Sequence, residues 1–361
     1  MKAIRLNLKK RSYGIIIGSN IIGLLGSCLK KLNIGTDAYV ITNARIKNKY
    51  GAKVSKSLKA AGINLKFKLV ADTEKSKSIA SLSGVIEDIV DFDKKRKIFI
   101  IAFGGGVIGD LAGFVASIYK RGIPYVQVPT TLLAQVDSSI GGKTAVDLTQ
   151  GKNLVGAFYQ PKVVFSDLGL LKSLEIRQLR SGLAEVIKYG IIKDPKLFVY
   201  LEKRHKDIFK CNARALLNIV WRSSLIKARI VEQDEREEKG LRTILNFGHT
   251  LGHAIEAAAG FKKYNHGEAI ALGMLLACDI GRELGLTGNK TCIRIERLIK
   301  AAGLPARIKK IPVNNIIKAY YRDKKFIGAR NRLVLIRNIG RTKIVENIPL
   351  ELIKKVLRGR I

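Results

Sequence analysis

The sequence predicts an α/β fold, with an N-terminal Rossmann-like domain built on a mainly parallel sheet and a mostly α-helical C-terminal domain. In the first half, short apolar runs rich in β-branched residues alternate with helical stretches. This alternation is typical of a parallel sheet that helices cover on both faces. After about Leu170 the strand patterns thin out and helical periodicity dominates. We therefore expect one domain over 1–175 and a second over 176–361.

The individual elements are predicted from hydrophobic periodicity and from the turn residues that flank it. Strands are expected at 14–17, 38–42, 65–70, 98–103 and 125–128, and the alternating pattern within 1–11 predicts a first strand. Helices are expected in the first half at 21–32, 46–61 and 79–92. In the second half they are expected at 175–190, 213–232, 246–259, 268–283 and 290–302.

Composition indicates a soluble protein of about two domains, since the chain has 361 residues, of which 47% are hydrophobic and 26% are charged. The sequence has no apolar run of about eighteen residues, the minimum for a membrane span, and its N-terminus lacks the apolar core of a signal peptide. The four cysteines are scattered without a CxxC pair. Reduced thiols in a cytoplasmic protein are the simplest explanation.

The net charge of +37 suggests a nucleic-acid partner. However, the basic residues are spread along the whole chain, and no basic helix, zinc finger or RNP-type aromatic motif accompanies them. We therefore attribute the charge to a lysine-rich surface and expect no nucleic-acid partner. Such a basic field would attract anionic substrates.

Three of the four histidines fall within eighteen residues, at His249, His253 and His266. His249 and His253 are four residues apart, so a helix would present both on one face. Neutral imidazole is a common metal ligand. The segment lacks the glutamate of an HExxH motif, which excludes a zincin. Spacing alone leaves two interpretations open, a metal site or structural hydrogen bonding.

A glycine-rich turn, Gly104 to Asp110, directly follows the apolar strand pattern at 97–103 and precedes an apolar helix. Glycines at such a turn let the backbone approach a pyrophosphate, and the helix N-terminus offers it free N–H groups. Asn43 directly follows the strand predicted at 38–42, where dinucleotide-binding folds usually have a ribose-binding acid. The pattern therefore favours diphosphate binding more than ribose recognition.

A second glycine-rich segment, 137–144, resembles the end of a P-loop. Asp137 stands where Walker A requires its first glycine, which argues against NTPase chemistry. The segment 151–157 that follows is expected to be a polar, glycine-rich loop. Lys143 and Lys152 beside glycines suit a phosphate or carboxylate pocket.

Four blocks taken together resemble the 3-dehydroquinate synthase family, in the family's order. They are Gly104–Asp110, Pro129–Thr144, Ser181–Gly190 and Asn246–Glu256. The resemblance implies a carbon–oxygen lyase of the shikimate pathway, which makes chorismate and the aromatic amino acids. Such an enzyme cyclises 3-deoxy-D-arabino-heptulosonate 7-phosphate to 3-dehydroquinate and releases phosphate. It also implies catalytic NAD, one divalent metal (zinc or cobalt) and a homodimer.

The resemblance assigns roles to individual residues. It implies that Glu185, His249 and His266 bind the metal, and that His253 contacts the substrate phosphate and assists proton transfer. It places Asp137, Lys143, Asn153, Lys188, Lys227, Arg242 and Asn246 in the substrate pocket. The expected NAD contacts are Asp72, Glu74, Lys77, Gly105, Gly106, Val107, Ile108, Gly109, Asp110, Thr130, Thr131, Lys143, Lys152, Leu170, Leu171, Lys172 and Ser173.

Several alternatives stay open at this level. Lys324 or Lys325 matches the family's C-terminal substrate lysine, and Glu237 or Glu238 its acidic position. Another sugar phosphate cyclase, such as 2-deoxy-scyllo-inosose synthase, shares most of the blocks, although Arg242 favours an acid substrate. A metal-dependent alcohol dehydrogenase has the same two-domain plan but would convert NAD stoichiometrically. The native metal is not predicted.

Overall fold

The computed structural model describes residues 1–94, 96–321 and 331–361. The chain forms two compact units, the first made of Met1–Leu174 and Leu216–Arg236 and the second of Glu175–Ala215 and Glu237–Ile361. The division into functional domains at residue 175 stays a prediction. Segment Leu216–Arg236, which that division assigns to the second half, belongs to the first unit in the structure.

The first unit contains nine strands within the described residues. They are β1 (Lys2–Leu6), β2 (Tyr13–Gly18), β3 (Asp37–Thr42), β4 (Asn64–Leu69), β5 (Ile98–Gly104), β6 (Tyr125–Pro129), β7 (Lys143–Leu148), β8 (Gly151–Phe158) and β9 (Val163–Asp167). Seven form one sheet in the order β1-β2-β9-β6-β5-β3-β4. Within this seven-stranded sheet, as far as the structure describes it, only the β1–β2 pair is antiparallel. The predicted mainly parallel sheet is therefore confirmed.

Helices cover both faces of this sheet. They are α1 (Leu25–Leu32), α2 (Ala44–Ala60), α3 (Ile79–Phe92) and α4 (Gly106–Ile118). Successive residues of β3 face opposite sides, as the period of a strand requires. Tyr39 and Ile41 join the core formed with α3 and α4, whereas Ala38 and Val40 join the core formed with α1 and α2. Burial on both faces explains why β3 and β5 read as continuous apolar runs.

The segment predicted as a glycine-rich loop forms an antiparallel hairpin, β7–β8. The prediction of a loop was wrong because glycines, which are uncommon in strands, interrupt the strand pattern of this segment. A Cβ at Gly156 would lie 2.0 Å from the Thr144 carbonyl oxygen, so only glycine permits this close pairing. Lys143, Lys152 and Asn153 are therefore placed by a hairpin.

The second unit is mostly helical, as predicted. Its helices are α5 (Ile176–Ile192), α6 (Pro195–Phe209), α8 (His249–Ala258), α9 (His266–Glu283), α10 (Asn289–Ala301), α11 (Val313–Tyr321) and α12 (Leu350–Arg360). Helix α7 (Ala213–Gln233) lies mainly in the segment that belongs to the first unit. The unit also contains a hairpin of β10 (Arg332–Asn338) and β11 (Arg341–Glu346), which the sequence analysis missed.

Helix α9 is the centre of the second unit and packs against α5, α8, α10, α12 and β10. Two glycines permit close approaches to the backbone of neighbouring segments. A Cβ at Gly267 would lie 2.3 Å from the Ser181 carbonyl oxygen of α5, and one at Gly273 would lie 1.9 Å from the Gly248 carbonyl oxygen. Within the described residues, no helix is both long enough and apolar enough to cross a membrane.

The C-terminal helix is held by Arg360. Its Nε lies 2.5 Å from Asp279 Oδ2, and its Nη1 lies 2.8 Å from Glu296 Oε2. Asp279 is buried, so losing this cation would leave its carboxylate with only the longer contact to Arg282, whose Nη2 lies 3.3 Å from Oδ1, among the ion pairs of the described residues.

We expect Arg360→Ala to lower the free energy of unfolding by about 3 kcal/mol, because breaking a buried charge pair leaves one partner desolvated. Arg358→Ala is the matched control, since Arg358 is exposed on the same helix, and it should change stability by less than about 0.5 kcal/mol. Urea unfolding of both variants measures the difference. Equal stability losses would contradict this account.

Candidate active site

Helix α5 presents three polar residues on one face, because Ser181, Glu185 and Lys188 are spaced by four and three residues. All three are buried. Ser181 Oγ accepts a hydrogen bond from the Gly267 backbone N–H at 3.0 Å. This bond fixes the start of α9 against α5 and brings His266 beside Glu185.

The first turn of α9 is held by a capping box. The Asn265 side chain accepts a hydrogen bond from the Glu268 N–H, and the Glu268 carboxylate accepts one from the Asn265 N–H, each at 2.9 Å. Arg177 of α5 makes a bidentate pair with Glu268 at 2.9 and 2.7 Å. His266, the first residue of α9, is therefore held in place by groups on both sides.

Helix α8 begins at His249, immediately after Gly248 in a left-handed conformation with φ of 77°. A Cβ at Gly248 would lie 2.6 Å from Met274 Cγ, so glycine is required for conformation and for space. His249 Nδ1 lies 3.1 Å from the Phe247 carbonyl oxygen. A carbonyl can only accept, so Nδ1 carries the proton and Nε2 is left as the ligand atom.

Glu185, His249 and His266 converge. Glu185 Oε1 lies 2.9 Å from His266 Nε2 and 3.3 Å from His249 Nε2. One ligand atom from each residue lies within 4.8 Å of the others. Two imidazoles and a carboxylate suit a zinc or cobalt ion that keeps coordination positions open for substrate. The structure thus brings the three predicted metal ligands together, and their donor set fits the ion.

The electrostatic environment favours the ligand forms. Burial would raise the pKa of Glu185, but the charge of Lys188, with Nζ 2.5 Å from Oε2, and the two imidazoles lower it well below its usual range. Burial lowers the pKa of His249 to about 4, despite the opposing effect of Glu185. Near neutral pH the cluster therefore contains an ionised carboxylate and a neutral imidazole at His249.

His253 lies next to this cluster, with its ring centroid 5.3 Å from that of His249 and 6.0 Å from that of His266. Glu256, three residues further along α8, was missed by the sequence analysis. Ligand atoms of His253, Glu256 and His266 lie within 4.8 Å of one another, and Glu256 is buried. The signal that could have revealed it is its helical spacing of three from His253.

Arg242 is buried in a short 3₁₀ turn, Leu241–Asn246, which Asn246 ends. Arg242 Nε lies 3.3 Å from Glu237 Oε1. Of the two glutamates that the sequence left open for the acidic position, Glu237 is thus seen to pair with Arg242. Lys324 and Lys325 lie outside the described residues.

In the first unit, the glycine-rich turn leads into α4, whose first turn contains Gly106, Val107, Ile108, Gly109 and Asp110. Beside it, a Cβ at Gly105 would lie 3.1 Å from Thr131 Cγ2 and 3.8 Å from Asp72 Oδ1. Asn43 Nδ2 donates to Asp72 Oδ2 at 3.1 Å. The N-terminus of α4 and the Asp72 carboxylate are therefore close neighbours, as a diphosphate and an adjoining ribose would need.

Lys77 organises a polar network in the same unit. Its Nζ lies 2.8 Å from Asp110 Oδ2 and 2.5 Å from Asn153 Oδ1. Burial alone would lower the pKa of Lys77, but the Asp110 carboxylate raises it. Glu74 Oε1 lies 3.9 Å from Lys77 Nζ and 3.6 Å from Lys152 Nζ. Five of the predicted cofactor and substrate residues are thus connected through direct contacts.

Asp137 lies in a π-helical turn, Ala134–Ser138, and its Oδ1 is 2.9 Å from Lys227 Nζ, which also donates to the Asp137 carbonyl at 2.8 Å. Such turns are frequent at functional sites. The remaining predicted residues of this unit occupy three places. Thr130 and Thr131 follow β6, Lys143 begins β7, and Leu170, Leu171, Lys172 and Ser173 end the 3₁₀ turn Leu168–Ser173.

Solved structures similar to the whole chain define its class. A 2-deoxy-scyllo-inosose synthase complexed with carbaglucose-6-phosphate, NAD+ and Co2+ matches at a TM-score of 0.89 with 25% identity, over 100% of both chains. ValA, a 2-epi-5-epi-valiolone synthase from Streptomyces hygroscopicus with NAD+ and Zn2+ bound, matches equally well at 0.89 and 25%, over 98% of each chain. The fold of the chain is that of the sugar phosphate cyclases.

Sequence comparisons specify the family within that class. Family models described as 3-dehydroquinate synthase N-terminal and C-terminal match residues 67–181 and 182–326. The 3-dehydroquinate synthase of Thermoanaerobacter pseudethanolicus is 43% identical over 358 residues, which are 99% of this chain and 100% of the relative. The chain belongs to the 3-dehydroquinate synthase family.

We expect His266→Ala to weaken divalent-metal binding by more than about 100-fold, since a direct ligand should matter more than the outer-sphere partners whose loss typically costs 10–100-fold. The control is His205→Ala, because His205 lies on α6 with Nδ1 3.2 Å from the Leu201 carbonyl oxygen. Metal content after dialysis measures both. Full metal retention by His266→Ala would remove it from the ligand set.

Proposed function

We propose that this chain converts 3-deoxy-D-arabino-heptulosonate 7-phosphate to 3-dehydroquinate with release of phosphate, as a lyase that uses NAD catalytically with one divalent metal. The observation that carries the proposal is the convergence of Glu185, His249 and His266 in a chain of this family. An acid-sugar phosphate with several hydroxyl groups suits a site with open metal positions beside cationic side chains.

The metal would be held by Glu185 Oε1 or Oε2 and by the Nε2 atoms of His249 and His266. When bound, it would polarise substrate oxygens, and NAD would supply a reversible oxidation. Lys188, already paired with Glu185, limits the negative charge that the ligand carboxylate presents. The phosphate that leaves needs a neighbouring donor, and His253, beside the cluster, is the proposed group.

Substrate recognition requires cations, because the substrate carries a carboxylate and a phosphate. Lys143, Lys152, Lys188, Lys227 and Arg242 are the proposed contacts. Arg242 has the planar guanidinium that binds a carboxylate bidentately, and it lies buried next to Glu237. The acid-binding role of Arg242 favours the heptulosonate over neutral sugar phosphates.

NAD is proposed to bind at the N-terminus of α4, with Asp72 near its ribose and Lys77, Asp110 and Asn153 forming one polar wall. NAD returns to its starting state in each cycle, so it can stay tightly bound without slowing turnover. We further propose a cytoplasmic enzyme that acts as a homodimer, as the family resemblance implies.

The test is turnover of the heptulosonate phosphate with NAD+ and Zn2+ or Co2+, before and after EDTA. We expect equal amounts of phosphate and 3-dehydroquinate, no net NADH, and loss of activity that added metal restores. Turnover that persists in EDTA would contradict the metal role. No turnover, despite binding of NAD and metal, would instead assign the site to another sugar phosphate.

We expect Arg242→Ala to raise KM, lower kcat and reduce kcat/KM about 100-fold, because a buried carboxylate contact is lost in ground state and transition state. Arg236→Ala is the control, since Arg236 is exposed six residues earlier. Steady-state kinetics of both variants measure these changes in KM and kcat. Unchanged kinetics in Arg242→Ala would exclude it from the substrate pocket.

A further inference from the structure

The Glu256 carboxylate is a buried acidic group that the proposed mechanism does not use. Glu256 is 9% exposed and lies on the face of α8 that also carries His249 and His253, at spacings of seven and three residues. Its ligand atom lies within 4.8 Å of those of His253 and His266. A buried carboxylate needs hydrogen-bond donors, and an imidazole N–H can serve as one.

His253 is a better hydrogen-bond partner for Glu256 than His266 is. His266 Nε2 already lies 2.9 Å from Glu185 Oε1, within the metal cluster. His249 is oriented in a different way, through Nδ1 and the Phe247 carbonyl oxygen. His253 and Glu256 share one helix at a spacing of three, where side chains are direct neighbours.

We propose that Glu256 is a positioning residue for His253. Its carboxylate accepts a hydrogen bond from one ring N–H of His253, which fixes the orientation of the ring and leaves the other nitrogen to the substrate phosphate. The Phe247 carbonyl oxygen, just before α8, orients His249 in the same way. Each of the two histidines of α8 is thus oriented by its own nearby acceptor. This inference rests on the proposed function, because the reaction gives His253 its role.

The kinetic test is a double-mutant cycle with Glu256→Ala, His253→Ala and the double variant in the metal-loaded, NAD-loaded enzyme. We expect Glu256→Ala to lower kcat about 10–100-fold with unchanged metal content. In the His253→Ala background, the same change should cost less than about 2-fold, since residues that act as a unit are not additive. Independent, multiplicative losses would overturn the proposal, as would metal loss in Glu256→Ala.

Two further variants separate positioning from structural support. Glu256→Gln keeps the volume and an acceptor oxygen, so it should retain kcat within about 5-fold. If Glu256→Ala does not fold, Glu256→Leu, which keeps much of the side-chain bulk without an acceptor oxygen, replaces it in the cycle. Glu283→Ala removes an exposed carboxylate of α9 and serves as the control; it should behave like the parent protein. A Glu256→Gln variant as inactive as Glu256→Ala would count against the proposed hydrogen bond.

Nitrogen NMR of the imidazole rings gives a readout that does not depend on turnover. The chain has only four histidines, so their ring signals can be assigned by single substitutions. In the zinc-loaded protein at one fixed pH, Glu256→Ala should change the ring-nitrogen shifts of His253 and leave those of His205 unchanged. Unchanged His253 signals would overturn the proposal even if the proposed reaction is correct. A parent enzyme without turnover but with the expected shifts would refute the reaction alone.

Discussion

Glu185 carries a carboxylate that is completely removed from solvent, and much of the second unit provides partners for it. An isolated buried charge would cost several kcal/mol. Lys188 from the same helix and His266 from α9 offset that cost through contacts of 2.5 and 2.9 Å, and His249 Nε2 from α8 lies 3.3 Å from the same carboxylate. The three groups come from separate helices, so the cluster exists only when α5, α8 and α9 are packed together.

Backbone geometry makes this packing possible. Gly267 and Gly273 let α9 touch its neighbours at distances that any Cβ would prevent, and Gly248 turns the chain into α8 so that His249 begins the helix. The capping box at Asn265 then sets the position of His266. These glycines bind nothing themselves, but the metal ligands reach their positions only because glycine occupies these sites. Substitutions at these positions would act on the site through helix packing.

Much of the fold could be predicted from the sequence because its periodicities are strong. The β-branched run of β5 and the glycine turn before α4 indicated a strand, a turn and a helix, which the structure contains. The β7–β8 hairpin was missed because glycine has little strand propensity, although close pairing at Gly156 requires it. The β10–β11 hairpin was missed because charged residues interrupt its second strand.

The candidate site could be predicted only partly. The histidine spacing pointed to a metal, but Glu185 lies more than sixty residues before His249, in a segment that reads as an ordinary helix. Only the family resemblance connected them. The Lys77–Asp110 pair is a tertiary contact that no local pattern encodes, and the sequence could not decide between Glu237 and Glu238 as the acidic neighbour of Arg242. Glu256 was not recognised because a helix surface commonly carries glutamate.

The most direct measurement is the visible absorption of Co2+ added to the metal-free, NAD-free protein, with and without the heptulosonate phosphate, since cobalt bands report coordination while turnover is prevented. The account predicts saturation at one equivalent, a change in the bands when substrate occupies the open positions, and loss of the specific spectrum in Glu185→Gln. An identical spectrum in Glu185→Gln, or one that substrate leaves unchanged, would contradict the claim that this buried carboxylate and two histidines form an open catalytic metal site.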